Sequence, residues 1–141
     1  MKMRWMMMAL MLTILGVGCT YDEGPDFSLA TKKSRLVNTW NQTIGSGGQA
    51  YPSGMTVVLE ITKDGTGKET TTLINPVTGN KSEAILDVKW EWGATKEELK
   101  LERIWAGVSQ GTKIYRIVRL AGDEMFLEND SKIIEKFESV K

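Results

Sequence analysis

The stretch ILDVKWEW, residues 85–92, decides the fold. Leu86, Val88, Trp90 and Trp92 occupy alternate positions, and three of the four residues between or before them are charged. A period of two places the apolar side chains on one face of a β-strand, whereas a helix would mix both sets around its circumference. The pattern therefore predicts a strand with one face toward a core and the other toward solvent.

The same alternation recurs on both sides of this strand. We predict further strands at residues 36–44, 56–62, 69–74, 99–105, 112–120, 124–128 and 132–137. Turns of hairpin length separate most of them. A short helical turn over residues 28–35, capped by Ser28, is the one helical feature expected after residue 18. About eight strands in this order predict an all-β fold, an antiparallel up-and-down barrel, with an open sheet or a sandwich as the alternative.

Two arginines fall on the more apolar faces of their predicted strands. Arg103 shares a face with Leu101, and Arg116 is assigned to the same face as Ile114. An inward guanidinium would need a carboxylate or a ligand anion as its partner. A guanidinium near a strand end would instead extend into solvent. We expect the second arrangement for both.

Aromatic side chains are the other candidates for a binding site. Trp40 is expected in the core, because tryptophan on an apolar strand face is usually buried there. Trp90 and Trp92 could belong to the core or stand at a cavity mouth. The Gly-rich loop at residues 45–54 is either a surface excursion or a lid over a cavity. The candidate ligand-binding residues are Trp90, Trp92, Trp105, Arg103, Arg116 and Tyr51.

The N-terminal segment has the pattern of a secretion signal. Lys2 and Arg4 precede an apolar run at residues 6–15, which at roughly ten residues is too short to span a bilayer. Small residues then lead to Cys19, the only cysteine. This arrangement resembles the lipobox of bacterial lipoproteins, which implies cleavage after residue 18 and lipidation of Cys19.

Lipidation would define the domain organisation. A lone thiol in an oxidising compartment invites intermolecular disulfides, so a modification that consumes the sulfur explains it better than chance. We expect a signal at residues 1–18, an acidic tether at residues 19–27 and one β-barrel domain at residues 28–141. Acyl chains on Cys19 would hold the protein at a membrane without spanning it.

Composition excludes several classes of function. The chain has no histidine, the usual general base and metal ligand, so we expect no metal, no cofactor and no enzyme activity. Glu97 and Glu98 are adjacent and would point to opposite faces of a strand, although a carboxylate-only glycosidase stays open. Basic and acidic residues balance at 18 each, which argues against nucleic acid as a partner.

The chain resembles the small lipocalin-like lipoproteins of Gram-negative bacteria. The resemblance is carried by residues 24–29 and 32–40, the threonine-rich hairpin and the strand at residues 88–92. Lipocalins have a Gly-x-Trp motif in the first strand, and here Trp40 keeps the aromatic residue while Asn38 replaces the glycine. The resemblance implies a calycin-type barrel with a large first loop over its open end. It implies no particular ligand.

Two functions from different classes fit these observations. The first is a lipid-anchored binding module that holds a small hydrophobic or amphipathic molecule at the outer membrane, on its periplasmic face or at the cell surface. The second is an interaction or structural module with a filled barrel that binds another envelope protein through residues 70–72 and the loop at residues 45–54. The interior volume of the barrel distinguishes them.

Overall fold

The computed structural model of the protein describes residues 31–140. The predicted signal at residues 1–18, the predicted lipidation site Cys19, the predicted tether at residues 19–27 and the predicted cap Ser28 lie outside the described residues. Within that part of the chain, no helix is long and apolar enough to cross a membrane.

Residues 31–140 form one short helix followed by eight strands, which close into a barrel. The elements are α1 (Lys32–Leu36), β1 (Thr39–Ile44), β2 (Met55–Ile61), β3 (Thr66–Ile74), β4 (Lys81–Trp92), β5 (Glu98–Trp105), β6 (Val108–Leu120), β7 (Glu124–Glu128) and β8 (Ile134–Ser139). Each strand pairs antiparallel with the next, and β8 pairs with β1. The predicted all-β, antiparallel up-and-down barrel of eight strands is confirmed.

The two ends of the barrel differ in how they are covered. Helix α1 lies at one end, which we call the closed end, with the turns at residues 62–65, 93–97 and 121–123. Arg35 fixes the helix there by donating from Nη1 to the carbonyl oxygen of Leu120 at 3.0 Å. The opposite, open end carries the loops at residues 45–54, 75–80, 106–107 and 129–133.

Apolar side chains fill the closed end. Trp40 is fully buried, and its indole Nε1 donates to the carbonyl oxygen of Leu36 at 2.9 Å. The prediction that Trp40 belongs to the core is therefore confirmed. It packs in a cluster whose other members are Leu36, Leu59, Ile61, Val88, Trp90, Leu99, Leu101, Tyr115, Ile117, Leu120, Met125, Leu127 and Phe137. Burial of each large side chain of this kind stabilises the fold by about 1.5–3 kcal/mol.

The helix begins later than predicted. Thr31 is its N-cap, and the Thr31 side chain accepts a hydrogen bond from the backbone N–H of Ser34 at 3.1 Å. The helical turn carries Leu36 into the core, so the first strand begins at Thr39 and not at residue 36. A period-two pattern that starts inside a helix cannot reveal this boundary, because Leu36 is apolar in either structure.

A β-bulge in β6 reverses the predicted faces of part of that strand. The pairing with β7 shifts between Ile117 and Arg119, which inserts one extra residue into β6. Tyr115, Ile117 and Leu120 are consequently all buried, whereas Arg116 is exposed. Ile114 and Arg116 share a face, as assigned, but that face is the outer one, so the prediction that it is the more apolar, inward face is wrong. The bulge turns only Leu120 from that series inward.

Two hairpins are longer than the sequence pattern predicts. β4 begins at Lys81 and β6 begins at Val108, and the first residues of both strands are exposed. The pairing of β6 with β7 starts only at Arg116, so the β5–β6 hairpin extends past β7 at the open end. Where both faces of a strand end are exposed to solvent, apolar and polar residues need not alternate, so the pattern on which the prediction depends is absent.

Candidate functional site

The open end of the barrel holds a polar cavity of about 210 Å³ that opens to solvent. Strands β1, β2, β3, β5, β6 and β8 and the loop at residues 45–54 contribute to its wall. The lining residues are Gln42, Ser46, Tyr51, Met55, Val57, Glu69, Thr71, Arg103, Lys113, Tyr115 and Glu135. The barrel interior is therefore divided into an apolar closed end and a polar open end.

An ion pair between Arg103 and Glu69 crosses the cavity wall. Arg103 donates from Nε to both carboxylate oxygens of Glu69 at 3.0 and 2.9 Å, and from Nη2 to Oε2 at 2.7 Å. Both side chains are mostly buried, at 18% and 12% exposure. Arg103 thus has the carboxylate partner that an inward guanidinium needs, and the expectation that it extends into solvent is wrong.

The same guanidinium reaches Tyr115. Arg103 Nη1 donates to the Tyr115 hydroxyl oxygen at 3.4 Å. Burial lowers the pKa of Arg103, but the hydrogen bonds and negative charge of Glu69 outweigh burial and raise it overall. Burial also raises the pKa of Tyr115 above its usual value, against the opposing effect of Arg103. At neutral pH the wall therefore presents the guanidinium cation of Arg103 and the protonated phenol of Tyr115.

Glu135 forms the second polar cluster of the cavity. Its side chain is buried on β8, where Oε1 accepts from Gln42 Nε2 at 2.8 Å and Oε2 accepts from Asn129 Nδ2 at 3.2 Å. Two amides thus hold the carboxylate in one orientation.

The loop at residues 45–54 is attached to this cluster at two points. Tyr51 donates from its hydroxyl to Gln42 Oε1 at 3.0 Å, and Asn129 Nδ2 donates to the carbonyl oxygen of Ser46 at 3.1 Å. Burial, followed by the charge of Glu135, raises the pKa of Tyr51. Tyr51 and Ser46 both line the cavity, so the loop forms part of its wall.

Trp90 and Trp92 lie far from the open end. Trp90 is buried at the closed end, where its Nε1 donates to the carbonyl oxygen of Thr62 at 2.7 Å. Trp92 packs edge-on against it with ring centroids 5.7 Å apart, and the ammonium of Lys33 lies 5.8 Å from the Trp90 ring centre. The sequence left open whether these residues belong to the core or stand at a cavity mouth. Trp90 belongs to the core, and neither indole lines the polar cavity.

Trp105 and Arg116 also lie outside the cavity. Trp105 ends β5 on the projecting hairpin and is 50% exposed. Arg116 faces solvent on the outside of the barrel and pairs with Glu128 on β7 at 2.9 Å. Of the six candidate residues, the structure brings only Arg103 and Tyr51 together in the cavity wall.

Sequence reasoning missed most of the polar wall. Glu69 stands in a threonine-rich stretch that gives no sign of a buried face. In the structure it is paired with Leu59, a core residue of β2. Glu135 precedes the buried Phe137 by two residues, and this spacing places both side chains on the inner face of β8. A polar residue in phase with core residues was the available signal, and Gln42, two residues after Trp40, carries it too.

A larger groove of about 500 Å³ lies against the outer surface of β4, β5 and β6, and Trp90 and residues 64–66 also line it. Most of its lining side chains are polar and exposed or half-buried, and Lys100 pairs with Glu91 there at 3.4 Å. Surface pairs of this kind are easily replaced by water and carry little specificity. The interior cavity is the stronger candidate site because its polar groups are buried and held in fixed orientations.

Comparison of the whole chain with known proteins gives no match: no family model and no curated protein matches it.

Within residues 31–140, no group of three or more histidine, cysteine, aspartate or glutamate side chains is arranged to hold a metal ion. The cavity therefore offers charge, hydrogen-bonding groups and a small apolar surface to a ligand.

Proposed function

We propose that this protein is a lipid-anchored envelope lipoprotein whose lipocalin-like barrel binds one small amphipathic molecule in its open end, without catalysis. The observation that carries the proposal is the cavity of about 210 Å³ with buried, oriented polar groups. Buried polar groups are costly for folding, so a polar cavity in an otherwise packed barrel is best explained by a ligand that uses it.

The size of the cavity supports a small ligand. Pockets for drug-sized molecules measure about 300–1,000 Å³. A space of about 210 Å³ equals the liquid volume of about seven water molecules. A small compound would fit this space, whereas most of a long acyl chain would lie outside it.

The chemistry of the wall supports an amphipathic ligand in preference to a purely hydrophobic one. Met55 and Val57 provide an apolar side on β2. The rest of the wall carries the Arg103–Glu69 pair and Glu135. A wholly apolar molecule would leave these charged groups without water or any new partner, which disfavours its binding.

The anchoring part of the proposal rests on the sequence before the barrel. Cys19 follows a basic start, an apolar run and small residues, which is the arrangement expected of a cleaved lipoprotein signal. Lipid on Cys19 would place the cavity close to the membrane surface, at the outer membrane in the reading that we favour.

Ligand binding is tested by recovery of the bound compound from the full-length protein. We expect native mass spectrometry of the protein purified from its host to show an adduct of small mass. Thr71→Phe, which fills the cavity, should abolish the adduct, while Thr70→Phe, one residue away on the outer face, should retain it. An adduct that is absent, or present equally in both variants, would refute the proposal.

Lipidation has its own test. Labelled palmitate should be incorporated into the full-length protein, and Cys19→Ser should abolish incorporation and release the protein from the membrane fraction. Incorporation that persists in Cys19→Ser would place the acyl chain elsewhere. This experiment is independent of the cavity.

A protein-interaction function is the second candidate, and exposed apolar side chains favour it. Val108 is 63% exposed beside Trp105 on the β5–β6 hairpin, and Ile85 and Ile74 are about half exposed on the β3–β4 hairpin. Exposed apolar groups on neighbouring hairpins are typical of a protein contact surface. The hairpins, together with outward threonines of β3, would form that surface.

Site-specific photo-cross-linking in intact cells tests this second function. A photoreactive residue at Val108 should capture a defined envelope protein, while one at Lys96, in a turn at the closed end, should not. Equal capture from both positions, or from neither, would remove support for a hairpin interface.

A further inference from the structure

Glu135 is a buried carboxylate that has no cationic partner within the described part of the chain. Glu135 is 2% exposed, and its two carboxylate oxygens accept hydrogen bonds from the neutral amides of Gln42 and Asn129. The ion pairs formed among residues 31–140 do not include it. A buried charge without a counter-charge is costly, and burial is usually tolerated only where the charge has a use.

The hydrogen-bond network fixes the direction of both amides. Gln42 Nε2 also donates to the carbonyl oxygen of Ile44 at 3.3 Å, and because a carbonyl oxygen can only accept, the amide nitrogen is the atom that faces Glu135. Asn129 Oδ1 accepts from the backbone N–H groups of Ser131 and Ile133, so its Nδ2 must do the same. Glu135 thus meets donors on both oxygens and acts only as an acceptor, which is the role of an ionised carboxylate.

The other charges of the cavity leave this negative charge uncompensated. Arg103 is occupied by Glu69 through three N–O contacts of 2.7 to 3.0 Å, and the two charges cancel. Lys113 lies at the exposed mouth and forms no ion pair inside residues 31–140. The buried part of the wall therefore carries a net charge of about −1, in a low-dielectric setting where a matching cation would be strongly favoured.

We propose that the ligand of this cavity carries a protonated amine, which binds to Glu135. An ammonium group has three donors, and the hydroxyl oxygens of Tyr51 and Tyr115 offer further acceptors in the same wall. The remainder of the ligand packs on the apolar side formed by Met55 and Val57. This inference rests on the proposed small-ligand function and specifies the class of ligand.

An organic cation fits the wall better than a metal ion. No group of three or more metal-ligating side chains is arranged for a metal among residues 31–140. Glu69, the other carboxylate of the wall, is already held by Arg103. A cation that needs only one carboxylate and a few hydroxyl acceptors is an ammonium group.

Three probes with the same four-carbon chain test the inference. The full-length protein is titrated with n-butylammonium, butyrate and 1-butanol, and binding is followed through the backbone amide NMR signals of the cavity wall. We expect n-butylammonium to shift these signals at millimolar concentration and to bind at least about tenfold more tightly than the other two probes. This comparison uses the unaltered chain and does not depend on the folding of any variant.

Two glutamates on β8 provide matched variants. Glu135→Gln removes the buried charge and should weaken n-butylammonium binding at least about tenfold. Glu138→Gln removes an exposed charge three residues away and should leave binding unchanged. Retained affinity in Glu135→Gln would overturn the assignment of the amine to this residue.

The outcomes separate this inference from the proposed function. If butyrate or 1-butanol binds the cavity as tightly as n-butylammonium, the amine specificity is refuted while small-ligand binding stands. If n-butylammonium shifts no cavity signal, the amine specificity is likewise refuted. Failure of the proposed function itself would be seen in the recovery experiment, as an adduct insensitive to Thr71→Phe.

Discussion

Breaking the Arg103–Glu69 pair should destabilise the protein strongly. Removing one partner of a buried ion pair leaves an uncompensated charge and costs about 3–5 kcal/mol. Because the two side chains retain 18% and 12% exposure, we expect the lower end of that range, about 3 kcal/mol, for Arg103→Met and for Glu69→Leu. Each substitution replaces the charged side chain with an apolar one of similar size, so the loss of unfolding free energy reports on charge more than on packing.

The double variant should recover most of the loss. With Glu69→Leu and Arg103→Met combined, neither charge is left without a partner, and an apolar pair in this position is close to neutral or stabilising. The free energies of unfolding should therefore be far from additive, with a coupling energy of about 3 kcal/mol or more.

Urea unfolding of the purified protein measures these differences. With a urea m-value of about 1–3 kcal/mol/M, a loss of about 3 kcal/mol lowers the unfolding midpoint by about 1–3 M. Arg116→Met is the matched control and should barely move the midpoint, because the arginine is 58% exposed and Glu128, which is 15% exposed, keeps a second cation, Lys132, at 3.7 Å. A midpoint for Arg103→Met equal to that of Arg116→Met, or additive losses in the double variant, would refute this account of the pair.

Replacing Trp40 by phenylalanine should lower the free energy of unfolding by about 2–3 kcal/mol, since a buried carbonyl loses its donor and a cavity remains; thermal denaturation measures it. Gly67→Ala should lower the melting temperature, because the new Cβ would collide with a backbone carbonyl oxygen of β2, whereas Gly122→Ala, with nothing within 4 Å, should leave it unchanged. Hydrogen bonds, led by that from Thr62, lower the pKa of Asp64 from 3.8 to about 2. The stability that Asp64 contributes is present above pH 4 and is lost as the pH falls through about 2, and Thr62→Val should move its NMR titration midpoint back toward 3.8.

The fold could be predicted because its pattern is local. Val88 and Trp90 alternate with charged residues along β4, and Val57, Leu59 and Ile61 do so along β2, and these positions are buried in the structure. Alternation fails where the backbone departs from a regular strand. The bulge in β6 turns Leu120 inward although Ile114 and Arg116, which unbroken alternation would place on the same face, are exposed. The helical turn that contains Leu36 makes the first strand begin only at Thr39.

The candidate site was harder to predict because its members are far apart in the chain. Glu69 and Arg103 belong to strands β3 and β5, which are separated in the sheet by β4, and their side chains meet over the inner face of β4. The sequence indicates that Arg103 is in phase with Leu101, but it does not give the tilt and register that bring Glu69 within reach. Trp90 and Trp92 are large enough to line a binding site, but in the structure Trp90 is buried at the closed end and Trp92 packs against it.

The distribution of polar residues explains why a binding function fits this barrel better than a purely structural one. The closed end already supplies a packed core around Trp40, so the open end need not contain charges for the barrel to form. Buried charges at that end lower stability compared with apolar side chains of similar volume. If the polar groups of the open end served stability alone, the combined Glu69→Leu and Arg103→Met variant would be as stable as the unaltered protein and would keep its function. In a binding protein, the same variant should fold at least as well and no longer retain its ligand, because the polar wall that recognises the ligand would be gone while the packed core around Trp40 is unchanged.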